Sequence, residues 1–312
     1  MDVNVAQLLK VKDYISRYEK DVYHYTSQFN QLKKHNWRKA KQLFEEGLLH
    51  EPPVQEEPKA QRSFLQKAKE RFTRKKETFE VEEAFSSDSV ENQELLRFTT
   101  LPQTAEDLKI LFLENVFDLQ MKWATSTLFE FSQADRKYYH DEALRYFIQR
   151  FPDTYLVMYK PVFLINKAPV EGDIIIVTPT ETLCICLIET YKSAVFQYSK
   201  ENFWIELRGR DQKKILNPLI GLNRMEQIVR SIYRTYDIEH SVKKILLSRN
   251  GYIDYASEPY QVEFVDARKY EEWFYELRKS KAPLKFKQMK AAQVLLKHSQ
   301  SIYFDREFEA GQ

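Results

Sequence analysis

Glycine is scarce in this chain of 312 residues, which holds only six. A phosphate-binding loop needs glycines so that its backbone can approach the phosphates, and no glycine-rich run occurs. The chain also has no Gly-x-Ser-x-Gly nucleophile elbow, and its six histidines are scattered. The sequence therefore indicates neither nucleotide binding by a backbone cradle nor a serine-triad hydrolase of that type.

Cysteine is rarer still, with only Cys184 and Cys186. They stand two apart on a predicted strand, so their side chains share one face and cannot comfortably form a disulfide. A zinc site would need two more nitrogen or sulfur ligands, and no Cys/His cluster is near. We expect two buried, reduced thiols, as in a cytosolic protein.

Long apolar runs are absent. No stretch approaches the ~18 to 20 apolar residues of a membrane-spanning helix, and the N-terminus lacks the basic start and apolar run of a signal peptide. The sequence therefore predicts a cytoplasmic protein with no membrane partner. Its 48 basic and 46 acidic side chains nearly cancel, so only a local patch could attract a polyanion.

Apolar residues recur at helical spacing through most of the first 132 residues. Residues 1–50 form a predicted helical N-terminal region, with two helices broken near residues 25–27. Residues 101–132 form a second predicted helical region that begins with Thr104 as its cap. The chain should therefore open with helices and place its strands later.

Residues 51–100 form a predicted charged linker and basic helix. Residues 51–58 hold three prolines and three glutamates, which cannot continue a helix. A basic helix over residues 59–76 follows, and an acidic stretch comes next. The basic run fits a nucleic-acid patch, but a solvated face of an amphipathic helix is the favoured interpretation, because charge runs are common.

Residues 133–280 change to a pattern of strands and helices, which predicts an α/β core with a mixed sheet. The continuous apolar run at residues 174–177 indicates a strand covered on both faces. In chain order we predict a helix (133–151), a strand bent at Pro161 (154–165), strands (173–177, 183–189), a hairpin (194–198, 203–207), a helix from Asn217-Pro218, strands (242–247, 260–265) and a helix (267–278). Residues 281–312 should form a basic C-terminal helix and a tail.

Two carboxylates mark the ends of adjacent predicted strands, because Asp173 opens one and Glu189 closes the next. Such a pair suits Mg²⁺ or Mn²⁺, which take oxygen ligands and activate water for phosphodiester hydrolysis. A lysine that assists should stand two residues after Glu189, on the same strand face. That position holds Tyr191, and Lys192 comes one residue later, so Lys192 reaches the site only if a β-bulge intervenes.

Simpler interpretations of the same residues stay open. Asp173 follows Gly172 and fits the start of a strand after a turn. Glu189 and Lys192 fit an exposed ion pair at a strand end, which contributes little to stability.

Residues 137–280 resemble a NERD (nuclease-related) domain of the PD-(D/E)XK, restriction-endonuclease-like superfamily. The motifs that carry the resemblance are, in order, Asp173-Ile-Ile-Ile-Val-Thr-Pro179, Ile188-Glu189-Thr190-Tyr191-Lys192, Phe203-Trp204 and Asn217-Pro218-Leu219. The resemblance implies a restriction-endonuclease-like mixed sheet flanked by helices. The glycine that usually follows Thr-Pro is replaced in this chain by Thr180-Glu181-Thr182.

By this resemblance, Asp173 and Glu189 are metal ligands, and Asp141 or Glu142 on the preceding helix is the supporting acid. The catalytic lysine position falls on Tyr191, with Lys192 as its neighbour. One hypothesis is therefore a metal-dependent DNA nuclease or a nuclease-derived DNA-processing factor.

A second hypothesis is a catalytically inactive protein of this fold that binds a protein partner through its helical N-terminal half. A third is a nucleic-acid binder that uses the basic helices around Lys67 and Lys287.

Overall fold

The computed structural model of the protein describes residues 3–49, 95–256, 259 and 261–305. The chain divides into two compact units. One is Gln28–Leu119 with Met1, and the other is Asp2–Ser27 with Gln120–Gln312.

The first unit contains most of two helices, α1 (Val22–Glu45) and α2 (Ala105–Trp123). The rings of Trp37 and Phe112 lie 5.0 Å apart, and the side-chain amide of Asn115 donates to the carbonyls of Leu95 (3.2 Å) and Arg97 (2.7 Å). Aromatic packing and the hydrogen bonds of the Asn115 amide stabilise the unit.

The start of α2 is the one that the sequence predicts. The backbone N–H of Asp107 donates to the hydroxyl of Thr104 (3.1 Å), and the N–H of Thr104 donates to the carboxylate of Asp107 (2.9 Å). Two backbone donors that a helix start leaves without partners are satisfied in this way.

The second unit is built on a mixed sheet. Its elements are β1 (Gln7–Val11), β2 (Glu130–Phe131), α3 (Glu142–Gln149), β3 (Leu156–Tyr159), β4 (Val162–Ile165), β5 (Ala168–Glu171), β6 (Ile174–Val177), β7 (Glu181–Leu187), β8 (Val195–Gln197), β9 (Phe203–Arg208), β10 (Asp211–Leu216), α4 (Pro218–Thr235), β11 (Ser241–Leu247), β12 (Tyr252–Asp254), β13 (Val262–Val265), α5 (Tyr270–Lys279), α6 (Phe286–His298) and β14 (Phe304–Asp305).

The main sheet has six strands in the order β1-β3-β6-β7-β11-β13. Strand β6 runs antiparallel to both of its neighbours, β3 and β7, and the other neighbouring pairs are parallel. A second sheet has the order β10-β9-β8-β12. The predicted α/β class with a mixed sheet is confirmed.

The core lies around β6, whose four residues are all buried. This confirms the prediction that the strand is covered on both faces. Helix α4 packs against β7 and β11, where the hydroxyls of Tyr233 and Thr182 lie 2.7 Å apart. The predicted start of α4 is also confirmed, because the side chain of Asn217 accepts the N–H of Leu219 at 3.0 Å.

The N-terminal prediction is wrong for residues 7–11, which form β1 and not a helix. All five are buried, and all but Leu9 pair with β3. A short stretch with a few apolar residues fits a strand as well as a helix. The predicted break at residues 25–27 is also wrong, because α1 is continuous through them. There the hydroxyl of Thr26 donates to the carbonyl of Val22 four residues back, so it does not interrupt the helix.

Two further boundaries differ from the prediction. The helix predicted over residues 133–151 is split by Asp141 into a 3₁₀ turn (Arg136–His140) and α3, because the Asp141 side chain caps a new helix start. Strand β7 ends at Leu187, so Glu189 lies beyond it. The predicted hairpin of β8 and β9 is confirmed, while β10 and β12 are elements that the sequence did not predict.

The predicted linker and basic helix at residues 51–76 lie outside the described residues, and the division of the chain at residues 50, 100, 132 and 280 stays a prediction. The C-terminal helix is confirmed as α6. In the described ranges, no helix combines the length and the apolar composition that a membrane crossing requires.

Candidate functional site

Asp173 stands immediately before β6, where its backbone is fixed by its neighbours. Its N–H donates to the sulfur of Met225 (3.2 Å), and its carbonyl accepts the N–H of Lys160 (2.6 Å). Its carboxyl is half-buried and hydrogen-bonded to the thiol of Cys186. Burial raises the pKa of this carboxyl, against the opposing effects of Cys186 and Lys160.

The register of β6 and β7 explains why Asp173 faces a thiol. Ile174 pairs with Ile185, so the next position along the ladder places Asp173 opposite Cys186. Both cysteines are free and buried, as the sequence predicts, and burial raises the pKa of the Cys186 thiol well above its usual range. The side chain across from Asp173 is therefore a neutral thiol.

Asp141 lies at the N-terminus of α3 and serves as its cap. One carboxylate oxygen accepts the N–H groups of Ala143 and Leu144, both at 3.0 Å, and the other accepts the hydroxyl of Tyr159 at 2.8 Å. Burial raises the pKa of Tyr159, and the negative charges of Asp141 and Asp173 add to this effect. The predicted supporting acid is therefore hydrogen-bonded to Tyr159, whose partner in the neighbouring strand is Ile174, the residue after Asp173.

Glu189 lies two residues beyond the end of β7, where it contacts Arg249. Its carboxylate accepts Nε of Arg249 at 2.5 Å and Nη2 at 2.6 Å, and the backbone N–H of Arg249 at 3.0 Å. The guanidinium also lies over the ring of Tyr146, 4.2 Å from its centroid. The Tyr146 hydroxyl accepts a hydrogen bond from the Tyr270 hydroxyl at 2.9 Å. Both oxygens of Glu189 are therefore occupied by a bidentate partner of opposite charge.

Lys192 and Tyr191 lie in a turn beyond the end of β7. The N–H of Ala194 donates to the carbonyl of Tyr191 (3.2 Å), and Ser193 takes a positive φ of 63°. Lys192 is exposed, and Tyr191 is 64% exposed with the Arg208 guanidinium 5.0 Å from its ring centroid. Strand β7 ends at Leu187, so residues 190–191 have no strand pairing in which the bulge that would return Lys192 to the site could form.

These contacts allow a test of the predicted metal site. Mg²⁺ and Mn²⁺ need oxygen ligands that converge on one point, but Glu189 is held by Arg249 and Asp173 faces a thiol. In the part of the chain that the structure describes, no group of three or more His, Cys, Asp or Glu residues could hold a metal ion. In this arrangement the residues do not fit a divalent ion shared by Asp173 and Glu189. The metal and catalytic roles assigned to Asp173, Glu189, Lys192 and Asp141 stay predictions.

Arg249 is the residue that sequence reasoning missed. A signal for it exists in the parallel pairing of β7 with β11, in which Leu187 lies opposite Leu247. Two residues further along each chain come Glu189 and Arg249, which therefore leave the sheet side by side. An acid and an arginine at equal distances after two adjacent parallel strands predict an ion pair.

Comparison with known proteins gives one partial similarity. No family model matches the chain, and no solved structure matches it. A protein of Geobacillus stearothermophilus named RNA 2′,3′-cyclic phosphodiesterase is 36% identical over 126 residues, which cover 37% of this chain and 36% of that protein. The chain thus matches about a third of the length of this relative.

Proposed function

We propose that the chain is a NERD-like protein with a restriction-endonuclease-like core that binds nucleic acid without cutting it. The observation that carries the proposal is the closed contact between Glu189 and Arg249. A carboxylate whose two oxygens are both bound to a guanidinium is not free to ligate a metal ion. The nuclease scaffold is then retained for binding alone.

The order of elements supports the nuclease-derived origin. Helix α3, strands β3, β6 and β7, helix α4 and strand β11 follow one another, and β6 is antiparallel to its neighbours. The part from α3 through β6, β7 and the hairpin of β8 and β9 to α4 agrees with the helix, two strands, hairpin and Asn-Pro helix start of the NERD resemblance. The partial similarity to a protein named RNA 2′,3′-cyclic phosphodiesterase supports nucleic acid as the class of ligand.

Two exposed ring–cation pairs around the second sheet suit single-stranded nucleic acid. Tyr191 lies against Arg208, and Phe203, which is 46% exposed, has the ammonium of Lys214 4.2 Å from its ring centroid. Bases stack on such rings. Lys214 is the cation of the two that meets a phosphate, because the guanidinium of Arg208 is bound by both carboxylate oxygens of Glu206. Lys192 adds a further exposed positive charge beside Tyr191.

Fluorescence anisotropy with labelled single-stranded DNA and RNA of one sequence tests this proposal. Stacking of one base on an aromatic ring contributes about 1 to 2 kcal/mol, so Tyr191→Ala and Phe203→Ala should each weaken binding by roughly 5- to 30-fold. Tyr275→Ala is the matched control, because Tyr275 is 62% exposed with Lys279 over its ring but lies on α5. Equal losses in all three variants, or no binding by the wild type, would contradict the proposal.

Salt dependence separates the contribution of phosphates from that of bases. Removal of one cation that neutralises a phosphate should reduce the slope of log K against log salt by about 0.7 for a single strand. We therefore expect Lys214→Ala to lower the slope and Tyr191→Ala to leave it unchanged. A slope that is flat in the wild type would exclude phosphate contacts.

A metal-dependent nuclease is the second candidate function, favoured by Asp141, which accepts the hydroxyl of Tyr159 on β3, and by Asp173, which stands just before the neighbouring strand β6. Plasmid, single-stranded DNA and single-stranded RNA are incubated with Mg²⁺ or Mn²⁺. Cleavage by the wild type that disappears in Glu189→Ala would establish this function in place of the first. Cleavage that persists in Glu189→Ala would identify a contaminant.

A further inference from the structure

A second cluster of reactive side chains lies in elements that hold none of the predicted site residues. Lys10 is on β1, Glu19 ends a 3₁₀ turn (Arg17–Glu19), and Ser301 follows α6. The Lys10 ammonium nitrogen is 2.5 Å from both Glu19 Oε1 and Ser301 Oγ. Ser301 Oγ donates to the Glu19 carboxylate, with distances of 2.9 and 2.8 Å to its two oxygens. The three groups form one closed hydrogen-bonded triangle.

The backbone is shaped to hold these side chains in place. The pairing of β1 with β3 shifts between Leu8 and Lys10, so Leu9 is an extra residue at a β-bulge. Bulges re-aim the side chains next to them and are common beside active sites. Ser301 is fixed on both sides, because the N–H of Gln300 donates to the carbonyl of Val162 and that of Ile302 to the carbonyl of Asp13, both at 2.7 Å.

The charge in this cluster is deeply buried. The side chain of Lys10 has no exposed surface, and that of Glu19 is 17% exposed. Burying an ammonium is costly unless partners replace its water. Burial lowers the pKa of Lys10, against the opposing effect of Glu19. A carboxylate that accepts the hydrogen bond of a half-buried serine hydroxyl is placed to remove its proton, and an adjacent base of this kind is what activates a serine as a nucleophile.

Ser301 and Glu19 open onto a pocket of about 550 Å³. Lys290 and Lys297 of α6, which are exposed, line this pocket together with Lys20 and Asp21. Lys20 is paired with Glu130 at 3.0 Å, which leaves the α6 lysines to face a ligand. Such a pocket has the size of a small-molecule site, and its lysines favour a ligand with an anionic group.

The geometry points to Ser301 as the nucleophile of an esterase site that takes small acyl esters bearing a carboxylate or phosphate group. Glu19 acts as the base, Lys10 orients the Glu19 carboxylate and donates to the serine oxygen, and Lys290 and Lys297 attract the anionic group. This site is independent of nucleic-acid binding by the second sheet.

The reaction balances without any further reactant except water. Ser301 Oγ bonds to the ester carbonyl carbon while its proton passes to Glu19. The bond from that carbon to the alcohol oxygen then breaks, and Glu19 returns the proton to the departing alcohol. Water attacks the acyl-serine by the same proton route, which releases a carboxylic acid and restores the serine hydroxyl.

A fluorophosphonate reagent tests the nucleophile directly in the full-length wild-type protein. Attack by the serine on phosphorus displaces fluoride and leaves a stable adduct. We expect one adduct per chain by intact mass, and peptide mapping should locate it on Ser301. Ser299 is the internal control, because its hydroxyl lines the same pocket but donates to the carbonyl of Leu296 at 2.7 Å.

Variants then test the assigned roles, with circular dichroism to verify folding. Ser301→Ala and Glu19→Gln should lower hydrolysis of 4-nitrophenyl hemisuccinate at least 100-fold, and Ser299→Ala should leave it unchanged. Lys290→Ala should lower kcat/KM for this anionic ester by up to about fivefold, as expected for one exposed charge contact, but not for the neutral 4-nitrophenyl butyrate. No adduct on Ser301 in folded wild type, or full hydrolysis by folded Ser301→Ala, overturns the proposal.

Discussion

The contact between Glu189 and Arg249 leads to a prediction about stability that needs no ligand. Arg249→Met removes the guanidinium but keeps an unbranched apolar stem, and Glu189→Gln removes the charge but keeps an acceptor oxygen. The backbone N–H of Arg249, which donates to Glu189 at 3.0 Å, is present in every variant. The two single variants and their combination therefore isolate the ionic interaction between the side chains.

The expected size of this coupling follows from burial and geometry. The Arg249 side chain is 22% exposed and that of Glu189 is 16% exposed, and two short bonds join them. Fully exposed ion pairs contribute about 0 to 1 kcal/mol, whereas close, desolvated pairs show coupling energies of about 1.5 kcal/mol or more. We expect a coupling free energy of about 2 kcal/mol.

Urea unfolding of the four proteins measures this coupling energy. The unfolding is monitored by far-ultraviolet circular dichroism and by tryptophan fluorescence. The chain has two compact units, so a single free energy of unfolding is meaningful only where both signals change together. The matched control is the pair of Lys279 and Glu276, which are 61% and 62% exposed and 3.7 Å apart. That control cycle should give less than about 0.5 kcal/mol.

A coupling energy for Glu189 and Arg249 as small as that of the control would refute this reasoning. It would mean that the carboxylate exchanges freely between Arg249 and water. The claim that Glu189 is not free for a metal ion would then lose its physical basis. Addition of Mn²⁺ extends the test, because a metal-binding Glu189 would make the wild type more stable with the ion than without it.

Three other predictions concern single residues. Burial raises the pKa of Asp173, so its stabilising effect is complete at low pH and is lost as pH rises through the raised value. The stability of Asp173→Asn relative to wild type should therefore increase from about pH 3 to pH 8, measured by urea unfolding at each pH. Asp141→Ala removes the cap of α3 and should lower the free energy of unfolding by about 1 to 2 kcal/mol, and an unchanged urea midpoint would contradict the capping role. A Cβ at Gly251 would lie 2.8 Å from the carbonyl oxygen of Ala194, so thermal unfolding of Gly251→Ala should show a loss of about 1 to 3 kcal/mol, whereas Gly221→Ala in α4, with open space around it, should show a gain of about 0.5 to 1 kcal/mol.

Local chemistry made several elements predictable. The apolar run of β6 and the Asn217-Pro218 start of α4 each carry their signal within a few residues. Strand β1 has no such signal, because its identity depends on pairing with β3, whose first residue is Leu156. Over five residues, the apolar pattern of a buried strand cannot be distinguished from that of a buried helical turn. Contacts distant in sequence decided between them.

Asp173 and Glu189 do not stand opposite each other, and the register of β6 and β7 gives the reason. Val177 pairs with Thr182, so four residues, 178–181, separate these two partners along the chain. To place Glu189 opposite Asp173, Val177 would have to pair with Ile185, with seven residues, 178–184, between them. A shift of three is odd, and an odd shift also turns each side chain to the other face.

The short turn itself is set by local bonds. The hydroxyl of Thr178 accepts the N–H groups of Thr180 (3.3 Å) and Glu181 (3.1 Å) and donates to the carbonyl of Glu181 (2.8 Å). Once this turn forms, Cys186 must face Asp173, and the parallel register with β11 then brings Glu189 level with Arg249. The motif letters identify the strands correctly, but the chemistry at their ends depends on counting residues from the turn, and that count separates the two carboxylates.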